Sequence, residues 1–143
     1  MNPGEKFPKL TKLGKVTTPW GGSTEYEKFH PGIDIANAPG TPIPAPVNGV
    51  VTKVVDGEQP GAQNYGNSVT IKTANNEFHK LSHLQKPMVK PGDTVQSGNN
   101  IGTMGNTGSA YSPSGGDASH LDYRIVSAFG RYKNPKRYLN KFQ

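Results

Sequence analysis

Ser119-His120-Leu121-Asp122-Tyr123-Arg124-Ile125-Val126 alternates polar and apolar side chains, and a period of two is the mark of a half-buried β-strand. On such a strand His120 and Asp122 project from one face about 7 Å apart, while Leu121 and Tyr123 turn the other way into packing. Arg124 falls on the His120 and Asp122 face, where it is placed to pair with the Asp122 carboxylate. The same pattern recurs upstream. Ile33-Asp34-Ile35 follows a Pro31-Gly32 turn, and Val50-Val51-Thr52-Lys53-Val54-Val55 is rich in β-branched residues. Ser68-Val69-Thr70-Ile71-Lys72 and Glu77-Phe78-His79-Lys80-Leu81-Ser82-His83-Leu84 flank an Ala74-Asn75-Asn76 hairpin turn. Ile101-Gly102-Thr103-Met104 follows the tight Pro91-Gly92-Asp93 turn and Val95.

With 18 Gly and 13 Pro among 143 residues, a long helix has almost nowhere to form. The fold expected is all-β: a compact antiparallel sheet or barrel in a single domain. Residues 1–13 read as an N-terminal arm and residues 14–143 as the domain, with a short turn of helix at 135–139. Residues 105–117, almost wholly Gly, Ser, Asn, Thr and Pro, read as a loop beside the site.

The chain has no cysteine, so thiolate metal sites, disulfides and cysteine nucleophiles are excluded. Any metal is left to histidine and carboxylate. The net charge of +6 is concentrated at the end of the chain, where Arg124, Arg131, Lys133, Lys136, Arg137 and Lys141 follow Asp122 with no acid among them. Such a surface suits an anionic partner, nucleic acid or the acidic polymers of a bacterial wall, with charge alone favouring neither, or is simply solvated; no stacking-aromatic motif of the RNA-binding type is present. No apolar run is long enough to span a bilayer, and residues 1–6 lack the apolar core of a signal peptide. Work outside the cytoplasm is therefore expected to need another carrier.

Three of the four histidines stand beside turns or strand ends: His30, His83 and His120. A single histidine is more often a packing residue than a ligand. The pairs His30/Asp34, across the Pro-Gly bend, and His120/Asp122, on one strand face, are the stronger signal. Imidazole and carboxylate both suit zinc, and three protein ligands with an open fourth position define a catalytic site. His79 competes with His83, because the two share strand parity, and parity alone leaves the choice open. Trp20 and Tyr26 read as packing, and Tyr65-Gly66-Asn67 as a turn.

His30-Pro-Gly-Ile-Asp34 resembles the His-x-x-x-Asp motif of the M23 (LytM/lysostaphin-like) peptidases, and His120-Leu-Asp122 resembles their His-x-His motif. The segments 40–51, His83-Leu84 with 89–95, and 101–108 agree in order and spacing, so the likeness runs from about Gly14 to Leu139. The resemblance implies a twisted antiparallel, barrel-like sheet with a groove between loops, a zinc ion, and hydrolysis of peptide bonds in peptidoglycan stems or cross-bridges. His30, Asp34 and Asp122 take the ligand positions, and His83 and His120 those of non-ligand histidines that move protons and stabilise the oxyanion.

The sequence departs from the pattern at Asp122, where the family has a histidine. Two carboxylates are expected to offset more of the ion's charge and to favour harder cations. The competing expectation is a degenerate module serving wall binding or a structural role in a phage tail or cell-envelope assembly. A biotinyl or lipoyl carrier, suggested by the Val-Lys-Pro-Gly-Asp turn, is disfavoured because no lysine stands at the hairpin tip. The setting expected is the cell wall or a virion tail, within a larger virion protein in the latter case, without membrane insertion.

Overall fold

The computed structural model describes residues 10–11, 13–18, 20–21, 31–57, 66–107, 119–135 and 138. Eleven strands are present among them: β1 (Leu10–Thr11), β2 (Gly14–Thr18), β3 (Ile33–Ala36), β4 (Pro42–Pro44), β5 (Gly49–Val55), β6 (Asn67–Lys72), β7 (Phe78–Pro87), β8 (Thr94–Val95), β9 (Asn100–Met104), β10 (His120–Val126) and β11 (Tyr132–Lys133). They form one sheet of order β1-β2-β3-β10-β7-β6-β5-β8, every pairing antiparallel, with β11 beside β10 and β9 joining β7 to β4. The path ends at β1 and β8, so the sheet is open and not a closed barrel. Leu13 packs into the core and Leu10–Thr11 pair with β2, which ties the described end of the expected arm to the sheet.

Strand β10 lies at the centre, between β3 and β7. Leu121, Tyr123 and Ile125 are fully or almost fully buried on its core face, beside Ile33 and Ile35 of β3 and Leu81 of β7. This apolar face, continued by Val69 and Ile71 of β6, is what the period-two pattern buries. The opposite face of β10 carries His120, Asp122 and Arg124.

Strand β7 pairs with β6 along one edge and serves two ladders along the other. Residues up to Ser82 pair with β10, and Leu84 onward pair with β9. The hand-over falls at His83, whose φ of 63° lies in the left-handed region that non-glycine residues seldom adopt. At the crossing, Gly105 sits so close to β7 that a Cβ there would stand 2.4 Å from the Gln85 amide nitrogen. Only glycine lets the two backbones approach this far. The Gly105 carbonyl accepts from the His120 amide at 3.0 Å, fixing the start of β10 against this corner.

The hairpin expected at 74–76 is present, closed by Asn76 N–H to the Thr73 carbonyl at 3.0 Å, with Asn76 at φ 61°. Asn tolerates that conformation better than most residues. The helical turn expected over 135–139 lies partly outside the described residues, and residues 108–117 of the expected loop lie wholly outside them.

Candidate functional site

The site begins with register. Asp122 stands directly opposite Asp34 of β3 on one side and Ser82 of β7 on the other. His120 opposes Ala36 at the strand end. Antiparallel pairing therefore brings two carboxylates, distant along the chain, onto one face. His120 is half-buried, and so is Asp34; Asp122 is buried.

His83 reaches the same place by a different device. Strict alternation along β7 would put it on the core face with His79 and Leu81. The left-handed backbone breaks that alternation, and the His83 ring instead meets the His120 ring, with centroids 4.7 Å apart. The Thr107 carbonyl, 2.7 Å from His83 Nδ1, completes the placement. A carbonyl only accepts, so Nδ1 carries the hydrogen and Nε2 holds the lone pair when the ring is neutral. Burial holds the imidazole below the ordinary histidine range, with the neighbouring His120 acting in the same direction. The Thr107 hydrogen bond and the Asp122 and Asp34 charges oppose this without reversing it. Thr107 is itself anchored: its hydroxyl donates to the Leu84 carbonyl at 2.7 Å and accepts from the Asn67 amide at 3.0 Å.

Asp122 is engaged by Arg124 as the strand spacing anticipated. Arg124 Nε donates to Asp122 Oδ1 at 2.9 Å and a terminal guanidinium nitrogen donates to Oδ2 at 3.0 Å, a two-pronged pair with both side chains almost wholly buried.

His79 is settled by its surroundings. It is fully buried, 2.7 Å through Nδ1 from the Tyr123 hydroxyl and 3.5 Å through Nε2 from Glu77 Oε1. Its ring meets Tyr138 edge-on at 4.9 Å. Glu77 also receives the Lys133 ammonium and the Tyr138 hydroxyl, the latter at 3.0 Å. This network ties β7, β10 and β11 together on the core side, away from His83.

Of the five expected site residues, Asp34, His83, His120 and Asp122 are described and share one face or its end. His30 lies outside the described residues, as do Tyr26 and Tyr65. Among the described residues, no group of three or more His, Cys, Asp or Glu is arranged to hold a metal ion. Trp20 packs partly buried against the core, in keeping with its expected packing role. Sequence reasoning missed Thr107, although it lies in the Gly-Asn-Thr-Gly stretch that carried part of the resemblance.

An open antiparallel sheet with two imidazoles in ring contact beside register-paired carboxylates has the architecture of a hydrolase site built on histidine and carboxylate. The family model for Peptidase family M23 matches residues 28–135, and the chain belongs to that family. It is 38% identical over 109 residues to the peptidoglycan DD-endopeptidase ShyC of Vibrio cholerae, an alignment covering 76% of this chain and 22% of that protein. It is 31% identical over 126 residues to the murein hydrolase activator NlpD of Escherichia coli, covering 88% of this chain and 29% of that one. Among solved structures, a variant catalytic domain of the prophage-encoded M23 protein EnpA from Enterococcus faecalis superposes with a TM-score of 0.68 at 32% identity. That match covers 84% of this chain and 87% of that one. The chain thus spans between a fifth and a third of the length of the curated relatives it matches.

Proposed function

We propose that this domain is a zinc-dependent peptidoglycan endopeptidase, with His30, Asp34 and Asp122 as metal ligands and His83 and His120 as catalytic histidines. The observation that carries the reading is the contact between the His83 and His120 rings beside the register-paired Asp34 and Asp122. The donor set is compatible with an ion. A carboxylate offers about four lone-pair positions, and the Arg124 fork uses one on each oxygen of Asp122. Acceptor capacity therefore remains on Asp122, and Asp34 stands opposite it.

Zinc in such a site supplies Lewis acidity, polarising the scissile carbonyl and acidifying water. The chain's own residues do the rest. His83, held neutral by burial and fixed through Nδ1 by Thr107, presents Nε2 as a proton acceptor near neutral pH. His120, in ring contact with it, is placed to hydrogen-bond the oxyanion, and the proton that His83 takes up is the one it would return to the leaving amine. The substrate proposed is a peptide bond of wall stems or cross-bridges, in line with the name of the ShyC relative. The setting proposed is the cell wall or a phage tail that meets it, where the basic C-terminal segment faces anionic polymers.

A second reading has its own observation. Arg124 occupies both oxygens of Asp122, and some relatives are named activators of murein hydrolases. On that reading the domain is a catalytically degenerate binding or structural module. Zinc content and release of soluble muropeptides from purified sacculi separate the two. The enzyme reading expects about one zinc per chain and release that His83→Asn or His120→Ala abolishes while zinc stays bound. Native protein that takes up no zinc and releases nothing, beside an Asp122→His/Arg124→Gln variant that does both, would establish the second reading.

A further inference from the structure

We infer that the side-chain hydroxyl of Thr107 is the positioning group that locks His83 in its Nδ1–H tautomer, and so makes Nε2 the proton acceptor of the ring. The lock stands on its own geometry; its use in hydrolysis rests on the role of His83 proposed above. A neutral histidine in water carries its hydrogen mainly on Nε2, so the opposite tautomer has to be held by an acceptor at Nδ1. Here that acceptor is a main-chain carbonyl, that of Thr107 at 2.7 Å. Any residue brings a carbonyl. What keeps this one at the ring is the way its own residue is pinned.

Asn67 of β6 and Leu84 of β7 are directly opposed in their ladder, beside the register shift between Asn67 and Val69. The Thr107 hydroxyl bridges their main chains: the Asn67 amide donates to it at 3.0 Å, and it donates to the Leu84 carbonyl at 2.7 Å. Its hydrogen is thereby committed to β7, at the residue next to His83. Asn67 is fixed in turn, its side-chain oxygen accepting from the Gly57 amide at 2.9 Å and its side-chain amide donating to the Gln85 carbonyl at 3.2 Å. Gly66, at φ 62°, supplies the room. A Cβ there would collide with the carbonyl group and Oγ1 of Thr107, so only glycine lets the threonine seat against the strand pair. A bridging hydroxyl and a glycine cradle therefore converge on the one residue that faces Nδ1.

NMR of isotope-labelled histidine ring nitrogens reads each tautomer at about pH 8, above the ordinary histidine range, and loss of signals in His83→Asn assigns those of His83. Native His83 is expected as the Nδ1–H form. Thr107→Val keeps the side-chain shape without the hydroxyl; it is expected to move His83 to mainly Nε2–H and to slow muropeptide release by about tenfold or more. Thr107→Ser, which keeps the hydroxyl, is expected to restore the native tautomer, and Gly66→Ala to lose it with the hydroxyl still present. Native His83 in the Nε2–H form overturns the inference without any variant having to fold, and so does Thr107→Val with the native tautomer. A native Nδ1–H form that shifts in Thr107→Val, in a protein that releases no muropeptides, upholds the lock and sinks the enzyme reading.

Discussion

Replacing His83 with glycine and with alanine separates backbone from side chain at the corner on which the site depends. Both variants delete the imidazole and its hydrogen bond to the Thr107 carbonyl, so those losses cancel in the comparison. What remains is the backbone at φ 63°. A residue with a Cβ costs roughly 1–2 kcal/mol in that conformation, whereas glycine loses about 0.5–1 kcal/mol of additional chain entropy on folding. Glycine should therefore win by about 0.5–1 kcal/mol, the reverse of the usual order inside a strand. With a urea dependence of about 2 kcal/mol/M, the unfolding midpoint of His83→Gly should lie about 0.25–0.5 M above that of His83→Ala, measured on metal-free protein. Neither variant should release muropeptides. A midpoint for His83→Ala equal to or above that of His83→Gly would refute the argument that a left-handed residue turns this imidazole out of the core face.

Tyr123→Phe removes the hydroxyl 2.7 Å from His79 Nδ1 in a fully buried setting. It should cost about 1–3 kcal/mol in denaturant unfolding, with hydrolysis by the folded protein retained. Gly105→Ala drives a methyl group to 2.4 Å from the Gln85 amide. Calorimetry should find it destabilised by about 1–3 kcal/mol, and because the Gly105 carbonyl holds the His120 amide, activity should fall as well. At Glu77, burial works to raise the carboxyl, but hydrogen bonds from Lys133 and Tyr138 and the charges of Lys133 and His79 outweigh it and lower the carboxyl overall. The folded form then binds that proton less readily than the unfolded chain. The resulting stability is fully present above the ordinary glutamate range and is lost as pH falls through the lowered value. Stability against pH should flatten on this acid limb in Glu77→Gln, and an unaltered limb would contradict it.

How much of this was legible in the sequence depends on the physics at each residue. Alternation in 120–126 and 68–72 revealed the strands because each buries one apolar face. The Asp122–Arg124 pair followed from the same period of two. The turn at 74–76 followed from Asn chemistry. Strand order was not legible, since nothing local in β10 says that its neighbours are β3 and β7. The direction of His83 was hidden for a sharper reason. Parity assigns it to the core with His79, and the left-handed φ that overrides parity occurs without a glycine to announce it. The carbonyl of Thr107 is equally silent, because any residue has one; only the fold brings it to the imidazole. The distinction between His79 and His83 thus became physical once Tyr123 and Glu77 enclosed one ring and His120 met the other.

The central claim is that Asp122 serves as a metal ligand while His83 and His120 do not. Zinc-edge X-ray absorption of the zinc-loaded native chain tests this most directly, because the outer-shell scattering of imidazole counts the histidines bound. The account predicts one zinc per chain, light oxygen and nitrogen donors only, and a single imidazole, that of His30. Two or more imidazoles on the ion, or a chain that takes up no zinc at all, would contradict it.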